Sequence, residues 1–149
     1  METLVDTSIL GRLANRADRD HALAQSAIAK LHRNGEVLRL APQNLIEFRN
    51  FATRPTSANG FGLSTPDAAA LATTFESAFP LLDEGRAIYP AWRSLVDAAN
   101  VIGKQVHDAS LVAICHIFGI PKLLTFNTQH FQRLAGFGPD LIVLDPTAI

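Results

Sequence analysis

Three acidic side chains stand at points where a folded α/β chain could bring them together. Asp6 directly follows Leu4 and Val5, which are typical of the end of a short buried strand, and an apolar-periodic run begins just after it. A carboxylate between a first strand and its helix lies where open α/β sheets bind their ligands. Glu47 and Asp108 each fall near the start of a later predicted helix.

The chemistry that three neighbouring carboxylates could perform follows from the metal ions that their oxygen atoms can bind. Carboxylates repel one another unless a cation neutralises them. Hard oxygen donors, with Cys115 as the only cysteine and no histidines at ligand spacing, suit Mg²⁺ or its substitute Mn²⁺. Such an ion activates water and binds phosphate oxygen, which is the chemistry of phosphodiester hydrolysis. Each acid alone has a simpler alternative role: Asp6 and Asp108 could cap helices, and Glu47 could be an exposed helix residue.

A second chemistry for Asp6 is phosphoryl transfer through an aspartyl nucleophile. Enzymes of the haloacid-dehalogenase type usually carry a second acid two residues later, and Ser8 occupies that position here. The spacing therefore favours metal-dependent hydrolysis over covalent catalysis.

Short apolar strands alternate with helices along the chain. Strands are predicted at residues 3–5, 37–40, 123–125 and 141–144, with 79–82 as either a strand or an extended connection. Helices are predicted at residues 9–14, 21–31, 42–54, 65–75, 91–99, 109–118 and 129–134. This alternation favours an α/β fold whose parallel sheet is covered on both faces.

The topology of a parallel sheet then positions the acids. A helix that follows a strand begins at the strand's C-terminal end, so Asp6 and Glu47 are expected at the same edge of the sheet. Asp108 is predicted to open the apolar helix at 109–118, and it joins the other two if that helix starts at the same edge. The sequence leaves this last point open.

Length and composition restrict the class of protein. The chain has 149 residues, 48% of them hydrophobic and 18% charged, which fits one globular domain over 1–149 and excludes a disordered chain. A formal net charge of -1 argues against a plain nucleic-acid-binding protein, but not against an enzyme that reaches phosphates through a cation. We expect no signal peptide and no membrane association, and hence a cytoplasmic protein, because the longest apolar run, 111–115, is far too short to span a bilayer.

Four short stretches in a fixed order carry a family resemblance. They read LVDTS at 4–8, NLIEF at 44–48, HDASLVA at 107–113 and LTFNTQHF at 124–131. With them the chain resembles the PIN-domain family, and within it the VapC-type toxins of bacterial toxin–antitoxin pairs. The resemblance extends over essentially the whole chain. It implies a three-layer α/β/α sandwich with a mostly parallel central sheet.

The resemblance also implies a function. It predicts a Mg²⁺-dependent endoribonuclease that acts as the toxin of a type II toxin–antitoxin system, with Asp6, Glu47 and Asp108 as metal-binding and catalytic acids. Thr7 or Ser8 would support the first of these carboxylates. The implied partners are an RNA substrate, a cognate antitoxin protein and a second copy of the chain in a homodimer. The alternative is a PIN-fold binding module with weak or no catalysis.

The last motif departs from the family pattern. The family often has a further acid there, either where Asn127 stands or where His130 stands. Asn127 is then expected as the fourth catalytic residue, because its carbonyl oxygen can coordinate a metal although it brings no charge. This missing charge is the main support for the non-catalytic alternative. Thr125, in the same motif, could hydrogen-bond within the site or simply end a strand.

Basic side chains could bring RNA to such an acidic site. Phosphate contacts position a nucleic acid without reading its sequence, and arginine suits them well. The candidates are Arg12, Arg16, Arg49 and Arg54, each of which could equally be a solvated surface residue.

Overall fold

The computed structural model describes all residues, 1–149, and contains seven α-helices and four β-strands. In chain order they are β1 (Glu2–Val5), α1 (Thr7–Ala14), α2 (His21–Arg33), β2 (Val37–Arg39), α3 (Pro42–Thr53), α4 (Thr65–Ala78), α5 (Ile88–Ala99), α6 (Gln105–Phe118), β3 (Lys122–Leu124), α7 (Thr128–Ala135) and β4 (Ile142–Leu144). Two short 3-10 helices, at Thr56–Ala58 and Pro146–Ala148, complete the structure. No helix combines the length and the apolar character that a membrane span requires.

The four strands form one parallel sheet in the order β2-β1-β3-β4. The central strand β1 pairs on one side with β2, where Thr3 lies opposite Leu38, and on the other with β3, where Thr3 lies opposite Lys122. All three strand pairs are parallel, which confirms the parallel sheet predicted from the sequence. The C-terminal end of β1, directly before Asp6, is therefore in the middle of one edge of the sheet.

Apolar side chains leave the sheet on both faces because successive residues of a strand point to opposite sides. Leu4 and Leu123 pack into a core with α5, α6 and α7. Val5 and Leu124 pack into a second core with α1, α2, α3 and α4. Helices thus cover both faces, and the predicted three-layer α/β/α sandwich is confirmed.

A largely buried ion pair lies at the opposite edge of the sheet, where the strands begin. Lys122 on β3 donates to the carboxylate of Glu36, which also accepts a hydrogen bond from Thr3 Oγ1 on β1 at 3.1 Å. Burial by itself would raise the pKa of Glu36, but the hydrogen bonds from Lys122 and Thr3 outweigh it, so this pKa is lowered. The pair ties the two central strands together at the end away from Asp6.

Helix α6 begins four residues earlier than predicted. It starts at Gln105, with Lys104 at the N-cap position, so Asp108 lies inside the first turn and does not cap the helix. Other elements hold this turn: Trp92 Nε1 donates to Val106 O at 2.8 Å, and Gln43 Nε2 donates to the backbone oxygen of residue 107 at 2.8 Å. The early start is thus supported by tertiary contacts that no local sequence pattern reveals.

The segment at 79–82 is an extended connection and not a strand of the sheet. It makes one isolated parallel bridge, between Leu81 and Leu40, with Leu82 N donating to Leu40 O at 2.8 Å. Pro80 has no N–H to donate, which prevents a regular ladder at this point.

Candidate active site

Asp6 is at the N-cap of α1, at the end of β1, and only 4% of the residue is exposed. Its Oδ2 accepts hydrogen bonds from Ser8 Oγ at 2.7 Å and from Thr125 Oγ1 at 2.7 Å, and a longer one from Ser8 N at 3.4 Å. Its Oδ1 accepts none. Asp6 therefore does cap its helix, and it retains one carboxylate oxygen for another partner.

Glu47 lies in the second turn of α3 and is half-buried, so the alternative of a freely exposed helix residue is wrong. Thr7 Oγ1 donates to its Oε2 at 2.9 Å, and Gln43 Nε2 donates to its Oε1 at 2.5 Å. Thr7 in turn accepts a hydrogen bond from the buried Asn44 Nδ2 at 3.2 Å. The orientation of the Glu47 carboxylate is thereby fixed by α1 and by its own helix.

Asp108 contacts one residue of α7 and is affected by the charges of the two other acids. Its Oδ2 is 3.3 Å from Nδ1 of His130 on α7. Burial, together with the negative charges of Asp6 and Glu47, raises the pKa of Asp108 to about 6, although His130 opposes the rise. The structure thus brings the carboxylate of Asp108 within electrostatic reach of both other acids, at the edge of the sheet where β1 ends.

The donor set fits a hard divalent cation with water in its shell. No three acidic, imidazole or thiol side chains are close enough to hold one ion directly. Mg²⁺ usually retains several waters and is bound by only one or two carboxylates. Asp6 Oδ1 accepts no hydrogen bond. Burial and the repulsion from Asp6 and Glu47 raise the pKa of Asp108, and a cation would relieve that repulsion. A metal site formed by Asp6, Glu47 and Asp108 stays a prediction.

A family model for the PIN domain matches residues 3–137. The chain belongs to the PIN-domain family. Comparison with curated proteins gives no significant match in sequence.

Solved structures share this PIN fold at low sequence identity. A chain of VapBC2 from Rickettsia felis, bound to promoter DNA, matches with TM-score 0.71 and 15% identity over 97% of this chain and 98% of that one. A chain of VapBC-1 from nontypeable Haemophilus influenzae matches with TM-score 0.71 and 18% identity over 99% of both. VapC20 of Mycobacterium tuberculosis, a sarcin-ricin loop cleaving toxin, matches with TM-score 0.58 and 20% identity over 81% and 86%. These likenesses establish the fold.

The last motif of the PIN domain, at 124–131, contacts the acids of the site through Thr125 and His130. Asn127 is exposed, and its side chain makes no hydrogen bond; its backbone N donates to Thr125 Oγ1 at 2.9 Å. A role for the Asn127 carbonyl in a metal shell stays a prediction. Thr125 links this motif to Asp6, as its type suggested, whereas the contact of His130 with Asp108 was not predicted.

Gln43 was also missed by sequence reasoning, although a signal for it existed. It stands four residues before Glu47, and side chains at this spacing meet on one face of a helix. Its amide hydrogens reach Glu47 and the backbone oxygen of residue 107 together, which joins α3 to α6 across the PIN-domain site.

Thr7→Val tests the positioning of Glu47. Valine has the same shape but removes the donor to Glu47 and leaves the buried Asn44 amide without its acceptor. For the ribonuclease activity that the family resemblance implies, we expect the rate of RNA cleavage to fall about tenfold, and we expect the free energy of unfolding to fall by about 1–2 kcal/mol. Initial rates and thermal unfolding measure the two effects. Thr73→Val, which removes only a hydrogen bond to Ala69 O on an exposed face, is the matched control; equal rates in both variants would contradict this role.

Proposed function

We propose that this PIN domain is a Mg²⁺-dependent endoribonuclease, and that it acts as the toxin of a type II toxin–antitoxin pair. The observation that carries the proposal is the grouping of Asp6, Glu47 and Asp108, in which burial, together with the charges of the first two, raises the pKa of the third. Membership of the family and the fold shared with VapC20, a sarcin-ricin loop cleaving toxin, support it.

The side chains of the site have distinct roles in this proposal. Asp6 and Asp108 would hold the metal ion, because Asp6 directly follows β1 and Asp108, in the first turn of α6, lies within electrostatic reach of it. Glu47 would bind or orient the attacking water, since Thr7 and Gln43 fix its two oxygens. Asn127 would complete the shell through its carbonyl oxygen. The bound ion supplies Lewis-acid stabilisation of the phosphate and an activated water.

Ser8 and Thr125 act through Asp6 and not on the substrate. Their hydroxyl groups both donate to Oδ2, which leaves Oδ1 as the oxygen that would face the ion. Ser8 Oγ also accepts a hydrogen bond from Phe126 N at 3.1 Å, so the loop after β3 is fixed to α1. Such outer partners commonly change metal affinity or activity by about 10- to 100-fold.

An antitoxin partner is proposed from the surface beside the site. A cavity of about 500 Å³ adjoins Gln43 and His107, with Trp92 in its wall and Asp83 and Glu84 at its rim. An apolar segment with basic side chains complements such a surface in shape and charge. The related fold occurs in VapBC complexes, and we extend the same assembly, with a homodimer of the toxin, to this chain as a proposal.

Metal-dependent cleavage of RNA is the test of the function. Purified protein should cleave single-stranded RNA in Mg²⁺, stop in EDTA and recover when excess Mn²⁺ is added. Circular dichroism on the same samples establishes that the fold persists without metal. Folded protein that cleaves no RNA with either ion would favour the non-catalytic binding module, and cleavage that continues in EDTA would contradict a metal mechanism.

A further inference from the structure

Arg12 on α1 carries a positive charge that pairs with no acidic side chain. Its guanidinium makes no ion pair and no hydrogen bond, and its Nε is buried without an acceptor. Arg54 also has a buried Nε, but another of its nitrogens donates to Asn59 O at 3.4 Å. A buried N–H that lacks an acceptor is unfavourable, so an acceptor from outside the chain would stabilise this group.

The position of Arg12 connects it to the candidate active site. It lies one helical turn, about 5.4 Å along α1, beyond Ser8, which donates to Asp6. Its guanidinium carbon is 5.1 Å from the centroid of the Phe126 ring, in cation–π geometry. Phe126 N donates to Ser8 Oγ, so the ring is attached to the same network that orients Asp6.

A polar hollow lies against the Phe126 ring. It has a volume of about 270 Å³ and is lined by residues 126–130, of which only Phe126 is apolar. Two of these residues have contacts outside the hollow: the Phe126 ring contacts the Arg12 guanidinium, and His130 contacts Asp108. The hollow has room for a phosphate group, and its lining residues contact both a cation and an acid of the candidate metal site.

We propose that Arg12 binds a backbone phosphate of the RNA strand next to the phosphate that is cleaved, and that Phe126 positions its guanidinium. This inference rests on the proposed endoribonuclease function. A planar guanidinium binds two phosphate oxygens at once and stacks on an aromatic ring, which an ammonium does less well. The protein has a net charge of -1 and an acidic site, so a fixed cation beside that site offsets the repulsion of the strand.

Arg12→Met is the decisive variant because methionine retains an apolar stem over Phe126 and loses the charge. Binding of a fluorescein-labelled single-stranded RNA is measured by anisotropy in EDTA, where metal-dependent cleavage is absent, between about 50 and 200 mM salt. We expect affinity to fall about tenfold and the slope of log K against log salt to fall by about one. Arg12→Lys should restore the slope but only part of the affinity.

Arg93→Met is the matched control, since it removes one exposed arginine on α5, which packs on the other face of the sheet from α1. It should change RNA affinity less than about twofold. Phe126→Leu leaves the charge in place and should weaken binding about threefold with an unchanged salt slope, which a purely structural arginine would not predict. Thermal unfolding of each variant establishes that it is folded.

The outcomes separate this inference from the proposed function. Equal RNA affinities for Arg12→Met and Arg93→Met, or wild-type protein that binds no RNA, would overturn it. If Arg12→Met does not fold, a full wild-type affinity of Arg12→Lys would overturn the requirement for a guanidinium. If RNA is bound with the expected dependence on Arg12 but is never cleaved with Mg²⁺ or Mn²⁺, the endoribonuclease proposal fails and the phosphate contact stands.

Discussion

Asp6→Asn is expected to reduce Mg²⁺-dependent RNA cleavage by about 100-fold or more, because it removes a charge that would hold the metal. The side chain keeps an oxygen that accepts from Ser8 and Thr125, so the local hydrogen bonds persist. The fold should therefore remain, with a melting temperature within a few degrees of wild type. Initial rates under saturating Mg²⁺ and thermal unfolding measure the two quantities.

Asp67→Asn provides the matched control for this substitution. Asp67 is exposed in the first turn of α4, on a helix that contributes none of the site acids. Its replacement should leave the cleavage rate within about twofold of wild type. If Asp6→Asn cleaves RNA as fast as Asp67→Asn, the assignment of Asp6 to the metal site is wrong and the activity belongs to a contaminant or to another site.

Asp108→Asn is expected to stabilise the metal-free protein while it reduces cleavage. Burial and the charges of Asp6 and Glu47 raise the pKa of Asp108 from 3.8 to about 6. The folded state then binds the Asp108 proton more tightly than the unfolded state, so stability falls as the pH rises from about 4 to 6 and stays lower above it. Asparagine removes this penalty, worth about 1–2 kcal/mol after screening of a partly exposed group.

The pH dependence of unfolding is the measurement for Asp108→Asn. Without metal, the variant should exceed wild type in free energy of unfolding at about pH 7.5, and the difference should nearly vanish at about pH 4, where Asp108 of wild type is protonated. Mg²⁺ should stabilise wild type at the higher pH more than the variant. Asp97→Asn, on the exposed face of α5, should show no such trend. A difference that is constant with pH would contradict the repulsion among the acids.

Much of the framework was predictable because it depends on local patterns. The apolar strands at 3–5 and 37–40 are short and buried, and in a parallel sheet the helices after them must begin at one edge. This alone predicts that Asp6 and Glu47 lie at the same edge of the sheet. The family resemblance implied that Thr7 or Ser8 supports Asp6; Ser8 does so, whereas Thr7 donates to Glu47.

The third acid was harder to place because its helix is set by distant contacts. No capping residue marks the start of α6, where Lys104 stands, and the first turn is held by Trp92 and Gln43 from other helices. The side chain that contacts Asp108 was equally unpredictable from the sequence. His130 is 22 positions later on a different helix, and no spacing rule connects the two.

Arg12 illustrates the same limit. Sequence reasoning named Arg12 together with three other arginines and had no basis for a choice among them. What distinguishes Arg12 is a ring 114 positions away, Phe126, which is brought to it by the pairing of β1 with β3. Pairing between remote strands is a property of the whole fold, and neither segment alone has a sequence pattern that predicts it.

The hydrogen bond from Thr125 to Asp6 spans 119 positions of the chain. On the ribosome, Asp6 emerges early and has only Ser8 at its carboxylate until β3, at Lys122–Leu124, is synthesised and pairs with β1. The second hydroxyl group, the Phe126 ring beside Arg12 and the His130 contact are all added only when residues 125–130 have been synthesised. Under the proposed function, a shorter nascent chain lacks part of the candidate site, so we expect cleavage, and the need for an inhibitory partner, only after that point.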